Sequence, residues 1–186
     1  MQPRIPRQSA QEQDGRRPDA AADDARLSDE LAAVISGARR RAVRDGDRQI
    51  DTAHLLHSLL EHDRDVYAVF GEGPQIARLL GYLVQRTIGY GLRWQGSVED
   101  SGGVPVVMEG DGFSPLAASA MDYARRRATL RGDTQARGID LLAAIVVDPQ
   151  ARAVEVLARA GIDANTLRTG IDAHRDEYVG GSETAR

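Results

Sequence analysis

The chain contains no cysteine and no lysine. Without cysteine there are no disulfides, no thiolate nucleophile and no zinc–sulfur site. All 24 basic residues are therefore arginine. A Walker A phosphate loop, which needs its Lys on the β/γ-phosphates, is excluded, and so are Schiff-base and lysine-base chemistry. Aromatic residues make up only 4% of the chain against 41% hydrophobic. The core must be built from Leu, Ile, Val and Ala, which suits packed helices. No apolar run approaches the ~20 residues needed to span a bilayer. Arg4 and Arg7 near the N-terminus are not followed by the apolar segment of a signal peptide. No membrane association is expected, and the expected compartment is the cytoplasm. The net charge of −4 argues against a dedicated nucleic-acid binder.

The chain is written twice. Ala38-Arg39-Arg40-Arg41-Ala42-Val43-Arg44-Asp45-Gly46-Asp47 returns as Ala124-Arg125-Arg126-Arg127-Ala128-Thr129-Leu130-Arg131-Gly132-Asp133, with seven of ten positions identical at an offset of 86. Leu27-Ser28 matches Phe113-Ser114 at the same offset, and His54-Leu55-Leu56 matches Asp140-Leu141-Leu142. An internal repeat fixes the architecture before weaker signals are weighed. It also favours a binding module, because duplication produces two similar faces and no singular catalytic site.

Residues 1–26 are polar and rich in Gln, Asp and Pro, and are expected to be a disordered tail. Repeat one is expected over 27–90, a connector over 91–112, repeat two over 113–178 and a polar tail over 179–186. Ser28 reads as an N-cap, followed by the acidic first turn Asp29-Glu30. Leu31, Val34, Ile35, Ala38 and Ala42 then share one helical face, and Gly46 ends the helix. Asp51 or Thr52 caps a second helix with a broad face of Leu55, Leu56, Leu59 and Leu60. A short helix around Val66–Phe70 and a long one from Pro74 complete the unit. Repeat two opens with Ser114-Pro115, a cap followed by proline at the first helical position. Leu141, Leu142, Ile145 and Val146 repeat the second helix, Val154, Val156 and Leu157 the third, and Asp163 caps the fourth. The connector is expected to hold a β-hairpin at Val104–Val107, with Trp94 packing it onto a helix and its acidic stretches Glu99-Asp100 and Glu109–Asp111 solvated. A unit of about 65 residues is marginal alone. The expected fold is all-α, with two pseudo-symmetric four-helix units and about eight helices in all.

On these residues the chain resembles the Clp N-terminal (Clp repeat) domain, and especially its ClpC branch. That domain is a double repeat of four helices each. The family's Phe-Thr-type openings correspond to Leu27-Ser28 and Phe113-Ser114-Pro115. Its Gly-His-Asn-Tyr-Ile-Gly-Thr-Glu-His-Leu-Leu-like segment corresponds to Gly46–Leu56 and, more loosely, to Gly132–Leu142. The similarity spans residues 27 to about 175 and implies a free-standing version without ATPase modules. It implies a non-enzymatic protein that binds peptides, adaptors or substrates and modulates a Clp unfoldase–protease, with no cofactor. In the ClpC branch the Glu of each Thr-Glu-His segment helps to hold phosphorylated arginine; Ala53 and Ile139 stand at those positions here. The residues expected to meet a partner line the two openings: Leu27, Ser28, Phe113 and Ser114, with Thr52 and His54 beside them. The alternative is a sequestering or regulatory protein that takes a hydrophobic peptide or antibiotic, such as a cyclic peptide, independently of any Clp machine.

Other constellations are weaker. His54, His57 and Glu61 lie along one helix side, but a lone His-x-x-His lacks the further ligands a metal site needs. The Asp45/Asp47/Asp51 run lacks the glycine and glutamate of a calcium loop. Arg39–Arg41 and Arg125–Arg127 carry no interleaved aromatics for stacking on nucleic acid. They read as solvated faces paired with carboxylates such as Asp122, or as a docking face for an acidic partner. No local signature of a catalytic triad is present.

Overall fold

The computed structural model describes residues 26–71, 73–87, 99 and 112–183, with 86–87 and 175–183 described by backbone alone. The expected tail over 1–25, the hairpin at Val104–Val107 and the role of Trp94 lie outside these residues. Eight helices are described: α1 (Asp29–Asp45), α2 (Thr52–His62), α3 (Arg64–Val69), α4 (Pro74–Thr87), α5 (Pro115–Leu130), α6 (Gly138–Val147), α7 (Arg152–Ala160) and α8 (Ala164–Glu183). Among the described residues there is no strand longer than an isolated bridge. The order α1–α4 is repeated as α5–α8, so the fold is all-α and doubled.

The local chemistry is duplicated with the sequence. Ser28 Oγ accepts the Leu31 N–H at 3.2 Å, and Ser114 Oγ accepts the Ala117 N–H at 3.1 Å. Both first helices end on a glycine with positive φ, Gly46 at 73° and Gly132 at 83°. In each case the next residue closes the turn: the Asp47 N–H donates to Ala42 O at 2.9 Å and the Asp133 N–H to Ala128 O at 3.0 Å. Only glycine enters that left-handed region without a Cβ penalty.

The central helices α2 and α6 are buried almost all round. Every residue from Thr52 to Leu60 is buried, as is all of Gly138–Val146 except Ile139. A helix buried on all sides lies in the middle of a bundle, and its few polar residues, such as Ser58 and Asp140, are hydrogen-bonded there. The outer helices bring one face each, through Leu31, Val34, Leu79, Met121, Leu157 and Ile171. α1 lies close against α2 because residue 37 is glycine: a Cβ there would collide with Ser58 Oγ, which donates to Val34 O at 2.6 Å.

The two units are joined by an exchange. The opening of repeat one pairs with the loop of repeat two, and the reverse. Leu27 bridges Ala136 and Phe113 bridges Ile50, both parallel. The Ser28 N–H donates to Ala136 O at 2.9 Å and the Ala136 N–H to Arg26 O at 2.8 Å. In the mate, the Ser114 N–H donates to Ile50 O at 2.9 Å and the Ile50 N–H to Gly112 O at 2.7 Å. Each pair is carried onto the other by the 86-residue offset, so the contact is itself pseudo-symmetric.

Two elements depart from expectation. The third helix begins at Arg64, capped by Asp63, two residues before Val66. The last helix runs to Glu183, through the first five residues of the expected tail. Gly180-Gly181 lie within it, and a helical glycine costs only ~1 kcal/mol relative to alanine and does not forbid the helix.

Candidate functional site

Each exchanged opening lies beside a helix N-terminus, where backbone N–H groups lack intrahelical partners. Beside Phe113 the N-termini of α2 and α7 converge, and the carboxylate of Glu99 sits between them. Its Oε1 accepts from the Thr52 N–H at 2.6 Å and from Ser114 Oγ at 2.9 Å. Its Oε2 accepts from Thr52 Oγ1 at 2.8 Å and from the Arg152 N–H at 2.8 Å. Thr52 Oγ1 in turn accepts the Ala153 N–H at 3.1 Å. One carboxylate therefore ties both repeats together from the connector.

This corrects the expectation that Glu99 is solvated: it is 2% exposed. The physical reason is that residue 151, at the N-cap of α7, is alanine and makes no side-chain cap. The orphan donors of α7 take their acceptor from a distant segment, and sequence spacing does not reveal that. The alanine at a cap position was the available signal.

The six expected residues are brought to these two openings, and most are covered. Leu27 (5% exposed), Thr52 (1%), His54 (2%) and Ser114 (1%) are buried, while Ser28 and Phe113 are half-buried. Leu27 and Phe113 pack on the apolar core. Thr52 and Ser114 face Glu99. Ala53 is buried and Ile139 half-buried. Beside Glu99 a cleft of ≈ 260 Å³ opens, walled by Asp47, Arg48, Gln49, Asp51 and Arg152. Arg152 is paired with Asp51, the residue that caps α2.

Three of the six arginines in the two runs are paired with carboxylates. Arg41 pairs with Glu61, Arg125 with Asp122 at 3.2 Å, and Arg127 with Asp172 at 3.0 Å. His57, one turn further along α2, is lowered from the usual histidine range to about 4, first by burial and then by the Arg41 charge. Burial likewise raises the Asp63 carboxyl, which caps α3 through the Val66 N–H at 3.0 Å.

No protein-family model matches the chain. It is 26% identical over 165 residues to the chaperone protein ClpB of Rhodopseudomonas palustris, covering 86% of this chain and 17% of that protein's length. The N-terminal domain of the chaperone ClpD from Arabidopsis thaliana superposes with a TM-score of 0.60 at 19% identity, covering 81% of this chain and 95% of that one. The Hsp104 N-terminal domain from Candida albicans gives 0.57 at 14% identity (78% and 88% covered). The N-terminal domain of the ClpV1 ATPase from E. coli gives 0.54 at 18% identity (81% and 86% covered). With its doubled helices and exchanged openings, the chain is a Clp N-terminal-domain-like protein in fold.

Proposed function

We propose that this chain is a non-enzymatic binding module of the cytoplasm that engages peptides, adaptor proteins or substrates and so modulates a Clp unfoldase–protease. The observation that carries this is the reciprocal exchange of openings, which sets a cleft of ≈ 260 Å³ at Ser114, the residue after Phe113, at the seam of the two repeats. Likeness in fold to N-terminal domains of Clp proteins supports the same direction.

In this proposal Phe113 and Ser28, which keep solvent access, meet the partner. Leu27, Thr52, His54 and Ser114 hold the openings in place from beneath. The cleft wall is charged and polar, so it favours a polar peptide segment over a hydrophobic cyclic peptide. Neither nucleic acid nor membrane is part of the proposal: Arg41 on α1 and Arg125 and Arg127 on α5 are paired with carboxylates, and among the described residues no helix is long and apolar enough to cross a bilayer.

Affinity capture from the source cytosol, comparing the wild-type chain with Phe113→Ala and Arg48→Glu, tests this. A Clp component, an adaptor or a defined peptide should be retained by the wild type and lost with either variant, at unchanged helical content. Retention of no such partner, or equal retention by all three, overturns it.

A further inference from the structure

The offset of 86 allows the two repeats to be compared position by position around the helix caps. In repeat two, Arg131 lies between two carboxylates. Its Nε and Nη2 donate to Asp133 Oδ2 at 3.0 and 2.8 Å, its Nη2 donates to Asp140 Oδ2 at 2.8 Å, and Nη1 reaches Asp140 Oδ1. A permanent cation thus bridges the residue after the helix-ending glycine and the third residue of the next helix.

In repeat one the same three positions are Asp45, Asp47 and His54. The bridging cation has become a third electron-pair donor. His54 Nε2 lies 3.6 Å from Asp45 Oδ2 and 3.3 Å from Asp47 Oδ2. One ligand atom from each of the three lies within 4.8 Å of the others. Zn–N and Zn–O bonds of about 2.0–2.2 Å at tetrahedral angles place neighbouring ligand atoms about 3.3–3.6 Å apart, which spans both distances to His54. Asp45 adds an independent sign. Its side chain is 7% exposed, and its Oδ1 receives no hydrogen bond, the nearest cation being Arg44 Nε at 3.8 Å. A buried carboxylate oxygen is costly unless a hydrogen bond or a cation satisfies it.

We propose that Asp45, Asp47 and His54 form a site for a divalent cation of the zinc class, in which the metal takes the place that the Arg131 guanidinium holds in repeat two. Nε2 of His54 is the nitrogen ligand. Nδ1 lies 2.9 Å from Asp51 Oδ1, so in the metal form it donates its proton there. This is the carboxylate–histidine–metal arrangement that orients a ligating imidazole. The Asp51 N–H, 3.1 Å from Nδ1, gives up its bond to the ring in exchange. The side chain of Asp47 is 39% exposed and borders the cleft, so the fourth coordination position is open to water.

The full-length chain, stripped with chelator, is titrated with Zn²⁺ by calorimetry and with Co²⁺ by visible ligand-field absorption. One equivalent should bind, and the His54 ring resonances should shift with zinc while those of His57 do not. Asp47→Asn changes an exposed side chain and should keep the helical content of the wild type. It should weaken binding at least tenfold, in line with the 10–100-fold that even outer-shell partners contribute. His57→Gln, a neighbour one turn along α2 that lies outside the group of three, should leave affinity unchanged. Absence of stoichiometric binding overturns the proposal. Binding that survives Asp47→Asn, or that falls with His57→Gln instead, overturns it equally.

Discussion

Repeat one and repeat two share a backbone and differ in charge. The third residue of each central helix is buried, His54 in α2 and Asp140 in α6. Around His54 stand Asp45, Asp47 and Asp51; around Asp140 stand Arg127, at 3.5 Å, and Arg131, while Arg137 supplies its backbone N–H at 3.0 Å. The helix caps diverge in the same way. α3 is capped by the residue just before it, Asp63, whereas the equivalent α7 has Ala151 at its cap and draws on Glu99 from the connector. In both units a carboxylate reaches the seam beside the next repeat's central helix: Glu99 at Thr52, and Asp63 so close to Gly138 that a Cβ there would collide with it. Duplication preserved where charges are needed and left their sign and source free to change.

The largest effect should come from breaking the basic cluster. Arg131→Met leaves Asp140, which is 0% exposed, with Arg127 at 3.5 Å. A loss of about 3–5 kcal/mol in urea unfolding is expected, as for a buried pair deprived of one partner. The equivalent change in repeat one, Asp45→Asn, removes one of several crowded carboxylates and should cost less than about 1 kcal/mol in the absence of metal. Equal losses at the two positions would dissolve the comparison.

Next come the caps. Glu99→Ala removes the acceptor of two backbone N–H groups and two hydroxyls and should cost about 2–3 kcal/mol. Asp63→Ala, which gives up the cap on the Val66 N–H, should cost about 0.5–2 kcal/mol. Thermal unfolding of both variants ranks them, and the reverse order would show that the local cap matters more than the borrowed one.

The third effect depends on pH. His57 has a folded-state pKa of about 4, below its unfolded value near 6.5. The unfolded chain therefore binds a proton in the window where the folded chain resists it. The stability from the neutral ring is complete above pH ~6.5 and is lost progressively as pH falls toward ~4. Its counterpart in repeat two, Ala143, has no such dependence. Urea unfolding from pH 7 to 4 should show this slope, and His57→Gln should flatten it. Smallest is the exposed pair Arg159–Glu155 on α7, at 2.7 Å, where Arg159→Ala should change stability by less than about 0.5 kcal/mol.

The helices were legible because their signals are local. Ser28, Asp51 and Ser114 are caps, Gly46 and Gly161 are stops, and the leucines of α2 and α6 recur at helical spacing. Leu27, Phe113 and Ser114 were legible as residues of the openings, but their partners were not. Nothing in the spacing says that Leu27 pairs with Ala136, 109 positions away. Glu99 was misread as solvated because an acidic residue in a glycine-rich stretch usually is. The cluster of Asp45, Asp47 and His54 is not legible in helical spacing, which groups His54 with His57 and Glu61; it forms because a loop folds back over the N-terminus of α2.

By itself the sequence determined that this is a doubled all-helical chain, where the capped helices start, and which leucines are interior. Those are consequences of capping, glycine geometry and a period of 3.6, all set within a few residues. Only the tertiary structure decided which opening crosses to which repeat, which carboxylate closes the cap of α7, and which charges meet at His54 and Asp140. Those outcomes depend on through-space distances of about 3 Å between segments dozens of positions apart, and a hydrogen bond or an ion pair is fixed by distance in space, not along the chain.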